Sequence, residues 1–444
     1  MFTNVWVSGI FVILAIVLFI VLCYKGVHTG VAAIICALVA AFGSSNDLLT
    51  SMFTTFTGGV GTLVTQMFGL FTVSGLLGYM MDRTGCSMSV GKKMIKWLGV
   101  DRCYLAISAT AVILMLAGVG TFMYVVVVVA LPLMKAANLP RRIGMVAAQG
   151  IAPAINFCMP VANVPGTLPN MFLGTGIYDA PVLSIATGVV GIVLFFLYIT
   201  HEVKKARLKG EHFTEIDGNE TQAYTESQEK EEDLPNFWLS IIPLLSVVVV
   251  SIILTALTKI DGAAVVVMAQ LVACILIGIF HYSRCKKVTF KKMISEGVPS
   301  MWGFLVLAAC VFAFGQVVST CAAFTPVQNA VLGLNINPYI GAMISVAVVA
   351  ALCADGISAM MIWLPLFGQT YVDMGVNPGA LRRLLLCTTQ TFDSLPHAQS
   401  VAATLGLFGL THKEGYKDLF ITTVVFPVIF TVFCCICCII FYPV

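Results

Sequence analysis

The stretch "TQTFDSLPHAQS" (389–400) places Asp393, Pro396 and His397 inside one of the most apolar parts of a 444-residue chain. An ionisable group kept at membrane depth is expensive, and it is kept there to bind or move charge. Three further stretches interrupt apolar sequence in the same way: "AGVGTF" (117–122), "APAINFCMPVANVPGTLP" (152–169) and "CADGIS" (353–358). Backbone that leaves the helix at that depth survives only where protein or a polar cavity satisfies its N–H and C=O groups. A half-helix that begins there presents free N–H groups and roughly half a positive charge, which suits an anion.

Thr121, Thr167, Ser358 and Ser394 can add hydroxyl donors, and none of the four stretches contains Lys or Arg. The chemistry fits one small carboxylate held by helix ends, hydroxyls and His397 better than a multiply charged anion. Asp355, Asp393 and His397 are the candidates for a coupling proton, His397 because imidazole titrates near neutrality. Asp393 has a second reading as the cap of the half-helix that follows it. Asp355 has one as a tip facing an outer vestibule, and His397 one as a packing residue. Asn156 and Asn163 either orient substrate or brace their loop. Gly118, Gly120, Gly356, Pro153, Pro165 and Pro396 shape the backbone in every reading.

The elements that must hold these residues are membrane spans. Hydrophobic residues make up 59% of the chain and charged residues 10%, against roughly 25% charged in soluble domains. Uninterrupted windows of span length, about 20 residues, cover 6–23, 27–43, 60–81, 182–200, 237–257, 263–281, 301–320 and 419–442. Interrupted ones lie near 104–137, 143–174, 338–370 and 384–410. Residues 1–6 contain no basic residue, so the first span is expected to be retained. Ten of the 21 acidic residues fall in 201–236, which reads as a solvated linker between two membrane halves. The fifteen cysteines lie mostly in apolar spans without paired spacing, "CCICC" (434–438) included. They read as small apolar residues, with no metal cluster and no structural disulfide.

Offsetting the chain by 241 residues lays "PRRIGMVAAQGIAPAINF" (140–157) over "LRRLLLCTTQTFDSLPHA" (381–398). Arg141–Arg142 falls on Arg382–Arg383, Gln149 on Gln390 and Asn156 on His397. Each half then reads as three spans, a glycine-punctuated hairpin, a broken span and a last span. With five crossings per half and both termini outside, 21 of the 24 basic residues are cytoplasmic, as the positive-inside rule requires. Lys259, Arg382 and Arg383 are the exceptions. Paired broken helices in inverted repeats point to a transporter site near the midplane.

"DSLPHAQSVAATLGLFGLTHKEGYKDLF" (393–420) resembles the end of the gluconate permease (GntP) family, in the branch with an "LPH…GLTHK…YKD" signature. "GVGTFMYVVVVVALPLMKAANLPRR" (118–142) and the loop around 162–169 resemble that family's first hairpin and loop. The resemblance implies the ion transporter superfamily fold and a bacterial source. A scaffold domain carries a mobile transport domain with two hairpins, usually as a homodimer with an elevator motion. It also implies proton-coupled carriage of gluconate, another sugar or hydroxy acid, or D-serine. Site status transfers best to Pro165, Gly166, Thr167, Ser394 and His397. The chain departs from the branch at "GVGTF", at "CADGIS" with its extra Asp355, and at Gln399–Ser400.

The expectation is therefore an all-α polytopic membrane protein of ten transmembrane helices in two inverted repeats (1–200 and 237–444) around a cytoplasmic linker (201–236). Substrate contacts are expected from Gly120, Thr121, Asn156, Asn163, Pro165, Gly166, Thr167, Gly356, Ser358, Ser394, His397 and Gln399. The expected partners are a small organic acid anion, a coupling proton (alternatively sodium), lipid and a second copy. No cofactor, metal or nucleic acid is called for. A membrane-embedded enzyme with His397 and Asp393 as an acid–base pair is the competing class. It is disfavoured because no nucleophile or metal-ligand spacing accompanies them.

Overall fold

A computed structural model describes residues 4–25, 27–44, 47–99, 102–116, 118–119, 122–214, 234–258, 260, 262–323, 326, 336–353, 355–396 and 398–444. In chain order the first half contains α1 (Val5–Tyr24), α2 (Thr29–Ala41), α3 (Leu48–Arg83), α4 (Cys86–Leu98), α5 (Cys103–Leu116) and α6 (Phe122–Ala136). Then come α7 (Arg141–Gln149), a π turn (Ala154–Cys158), two single-turn helices α8 (Val164–Thr167) and α9 (Asn170–Leu173), and α10 (Pro181–Leu208). The second half contains α11 (Phe237–Leu257), α12 (Gly262–Phe280), α13 (Tyr282–Val288), α14 (Phe290–Ser319), α15 (Pro338–Cys353) and α16 (Gly356–Trp363). It ends with α17 (Pro378–Thr389), α18 (Gln399–Leu407) and α19 (His412–Phe441). No strand occurs among the described residues, only an isolated bridge between Ser44 and Cys321.

Six of these helices, α3, α10, α11, α12, α14 and α19, are long and apolar enough to cross a bilayer, and four shorter apolar helices accompany them. The windows at 60–81 and 301–320 turn out to be parts of longer helices. Helix α3 starts at Leu48 because Asp47 caps it, accepting from Thr50 N–H at 3.2 Å. It runs for 36 residues, about 54 Å at 1.5 Å per residue. Its glycines do not break it; they let α14 approach. A β-carbon at Gly59 would sit 2.9 Å from the Ala313 backbone, and one at Gly75 would sit 2.9 Å from Gly297 O. Small residues at the contact let two membrane helices pack closely.

The helices sort into two groups. Helices α1, α2, α3, α11, α12 and α14 pack on one another, with α14 at the centre. Buried residues make up 65% of the most apolar window of α14 but only 33% of that of α11, so α11 is peripheral. Its outer face exposes Leu245, Val249, Ile252 and Ile253, a surface suited to lipid. The second group joins α5, α6, α7, α10, α15, α17 and α19, while α16 packs against α14 and ties the groups together.

The reading of 201–236 as a linker needs correction at its start. Helix α10 continues to Leu208, and Glu202 is buried. Its carboxylate meets Arg142 Nη1 at 3.0 Å and Lys205 Nζ at 2.8 Å. Arg142 also pairs with Asp418 at 2.6 Å and Glu211 at 2.7 Å, and Tyr198 donates to Asp418 at 2.7 Å. The acidic run conceals this because its partner Arg142, and through Arg142 the carboxylate of Asp418, come from distant sequence. Residues 215–233 lie outside the described residues.

Candidate functional site

Helix α5 has 14 residues and α6 has 15, about 21 and 22 Å, each short of a core roughly 30 Å thick. They meet in a turn whose geometry Gly118 sets. Gly118 N–H donates to Met115 O at 2.9 Å and Val119 N–H to Leu114 O at 3.0 Å, the paired bonds of a Schellman C-cap. Gly118 has φ +72°, and a β-carbon on it would lie 2.6 Å from Ala162 O and 3.1 Å from Gln270 Nε2. The first hairpin tip is thus seated on the loop of the first broken span and against helix α12. Gln270 is fully buried; its Oε1 accepts from Ser74 Oγ at 2.9 Å, and its Nε2 has no partner among the described residues.

The second tip is built alike. Asp355 caps α16, its Oδ2 accepting from Ser358 N–H at 2.7 Å. A β-carbon on buried Gly356 would lie 2.6 Å from Gln390 Nε2 and 3.3 Å from Thr389 O. Gln390 Nε2 and Ser358 Oγ are both buried without a hydrogen bond among the described residues, and Gln390 stands within interaction range of the Asp393 carboxylate. Asp393 follows three residues later, its Oδ1 accepting from Ser394 Oγ at 2.6 Å, within electrostatic reach of Asp355. Asp393 does not cap α18, whose N-cap is Ala398 without a side-chain bond. Each unmet buried donor costs about 1–3 kcal/mol.

Most of the remaining expected contacts are engaged in shaping the first loop. Asn163 Oδ1 accepts from Gly166 N–H at 2.8 Å, and its Nδ2 donates to Asn156 O at 3.0 Å. Gly166 admits no side chain, since a β-carbon would lie 2.7 Å from Val161 O. Thr167 is fully buried and donates to Val164 O at 2.9 Å, within its own helix. Pro165 sits in the first turn of α8, where its missing N–H costs nothing. Gln399 opens α18; its side chain, together with Gly120, Thr121 and His397, lies outside the described residues.

The later part of the C-terminal signature braces the second loop. Gly409, at φ +59°, ends α18, and Thr411 and Glu414 form a capping box that starts α19. One turn on, His412 Nε2 lies 3.0 Å from Pro396 O and Tyr416 OH donates to Ser394 O at 3.2 Å. Asp418 is one of the three carboxylates on Arg142.

Two arginines lock the broken spans crosswise. Arg141 Nη1 donates to Phe408 O at 3.0 Å and Gly409 O at 2.8 Å, beyond α18. Arg382, fully buried, donates through Nε to Asn170 Oδ1 at 3.1 Å and through Nη2 to Gly166 O, in the other half. Shifted by 241, Phe408 and Gly409 fall on Thr167 and Leu168, next to Gly166. The two braces therefore occupy matching positions, each placing a cation at helix-end carbonyls.

Sequence reasoning missed Gln270 and Ser74 altogether and used Gln390 only as a repeat marker. The signal was present: Gln270 is the one strongly polar side chain in "GAAVVVMAQLVACILIGIF", and such a residue in a membrane helix is retained for a partner or a task.

The family model for GntP family permeases matches residues 7–377. The chain is 22% identical over 451 residues to the uncharacterized transporter YxjC of Bacillus subtilis, covering 94% of this chain and 96% of that one. It is 23% identical over 365 residues to an uncharacterized transporter of Haemophilus influenzae, covering 81% of each. Among solved structures, the Alcanivorax borkumensis YdaH transporter superposes with TM-score 0.62 at 15% identity, over 97% of this chain and 99% of that one. Neisseria gonorrhoeae MtrF superposes with TM-score 0.52 at 14% identity, over 88% and 83%. These likenesses in structure concern the fold. The family match, reaching from the first span into the segment after the second hairpin, places the chain among the GntP family permeases, which are membrane transporters and not enzymes.

Proposed function

We propose that this permease is a secondary active transporter that carries a small organic acid anion, gluconate or a related sugar or hydroxy acid, together with protons across the cytoplasmic membrane. The observation that carries the reading is the matched pair of tips. Gly118 and Gly356 each press a hairpin end onto a broken span, and each meets a buried carboxamide donor without a hydrogen bond among the described residues. Donors from Gln270, Gln390 and Ser358 suit a carboxylate or hydroxyl oxygen. Asp355 and Asp393, with His397 four residues after Asp393, would take the coupling proton.

In this reading ten helices cross the membrane, the two halves are inverted repeats, and both termini lie outside. The group around α14 is the scaffold. The group around α17 and α19 is the transport body, moving as an elevator within a homodimer. Sodium is the alternative coupling ion, since broken helices also expose carbonyl ends that bind it. The test is thermal denaturation of detergent-purified protein with gluconate, 3-hydroxybutyrate, lactate, citrate or D-serine at pH 6 and pH 8. A ligand at 100 times its Kd stabilises the folded state by about 2.7 kcal/mol. A monocarboxylate shift, larger at pH 6 and lost in Gln390→Leu, is expected. No shift from any acid would refute the substrate class.

A further inference from the structure

Four thiols meet where the two broken spans touch the last helix. Cys158 ends the π turn, Cys387 lies on α17, and Cys434 and Cys438 lie on α19. All four are buried. Cys158 Sγ and Cys387 Sγ are 3.5 Å apart, and Cys434 stands within interaction range of Cys387 and Cys438. Beside them stands Arg383, itself almost completely buried, within electrostatic reach of Cys158, Cys387 and Cys434. Its Nε donates to Asp179 O at 2.9 Å and its Nη2 to Ile177 O, while Nη1 has no partner among the described residues.

Sequence spacing gave no reason to pair these cysteines, because Cys158 and Cys387 come from opposite halves. In space their sulfurs are in van der Waals contact, about 1.5 Å from bonding distance. We propose that Cys158 and Cys387 are an oxidisable pair, a modification site at which a peroxide covalently joins the two broken spans. One thiolate attacks a peroxide oxygen and the O–O bond breaks, giving a sulfenic acid and, after protonation, water. The second sulfur displaces the hydroxyl from the first, forming the S–S bond and a second water. Two thiols are oxidised and one hydrogen peroxide is reduced to two waters. The bond would pin the loop carrying Asn163 and the turn carrying Gln390; that consequence, unlike the bond itself, rests on the proposed site.

The test uses full-length protein in detergent with a protease site inserted within residues 215–233. After hydrogen peroxide and cleavage, the two halves are expected to migrate together on a non-reducing denaturing gel and apart after dithiothreitol. A peptide map should show the Cys158–Cys387 link. Cys158→Ser and Cys387→Ser should each abolish it, and Cys434→Ser should retain it. Halves that separate without reductant, or a link that survives Cys158→Ser, would overturn the proposal. Should a variant fail to fold, the wild-type peptide map decides alone. The readout is covalent connectivity, so failure of the transport reading would leave it standing.

Discussion

At Gly118 two constraints coincide: a left-handed backbone and the carbonyl of Ala162, 2.6 Å from where a β-carbon would sit. Neither can relax cheaply, so Gly118→Ala is expected to lower stability by about 1–2 kcal/mol and to abolish ligand-induced stabilisation. Gly356→Ala meets the end of the Gln390 side chain, which can move. It should unfold near the wild-type temperature while binding ligand more weakly. Thermal denaturation of both variants, with and without ligand, separates these outcomes. His281, directly after the last residue of α12, offers a pH test. It is buried between α12 and α13, with Nε2 3.2 Å from Leu239 O, and burial holds its pKa below the ordinary histidine value. The unfolded chain therefore binds the proton more readily. Stability from this group is full above about pH 6.5 and falls as pH drops through the lower folded value. The melting temperature should fall less between pH 8 and pH 5 in His281→Gln than in the parent.

The element-scale account depends on ties between segments far apart in sequence. Arg142 links α7, α10, α19 and the segment after α10 through three carboxylates. Arg142→Met leaves Glu202 and Asp418 largely buried with their shared cation gone, and should cost about 3 kcal/mol or more. Denaturation in detergent measures this, and a loss below about 1 kcal/mol would mean the network is solvated. The spans and breaks were legible in sequence because composition and helix-breaking residues are local signals. The 241-residue offset paired Arg141 with Arg382 without assigning either a role. The ends of α3, α10 and α14 were not legible, because apolar windows stop where charge begins while the helices continue into caps and ion pairs. Of the first loop, bracing by Asn163 was one of two readings its motif allowed, while Gly166 was expected at the substrate and is found shaping the backbone. Gln270 stood out as a lone polar residue in its span, but its place at the first hairpin tip could not be read, because only the fold brings α12 there.

For the whole molecule the claim is that two groups of helices divide the work, one fixed in lipid and one carrying an acid with its proton. The measurement that tests it most directly is uptake of labelled gluconate into sodium-free proteoliposomes with an inside-alkaline pH gradient. The account predicts accumulation above the outside concentration, collapse on adding a protonophore, and loss of at least tenfold in the Asp393→Asn, Gln390→Leu double variant. Accumulation that required sodium and ignored the pH gradient would contradict proton coupling. Equilibration unaffected by either gradient, or by the double variant, would contradict active transport through the paired tips.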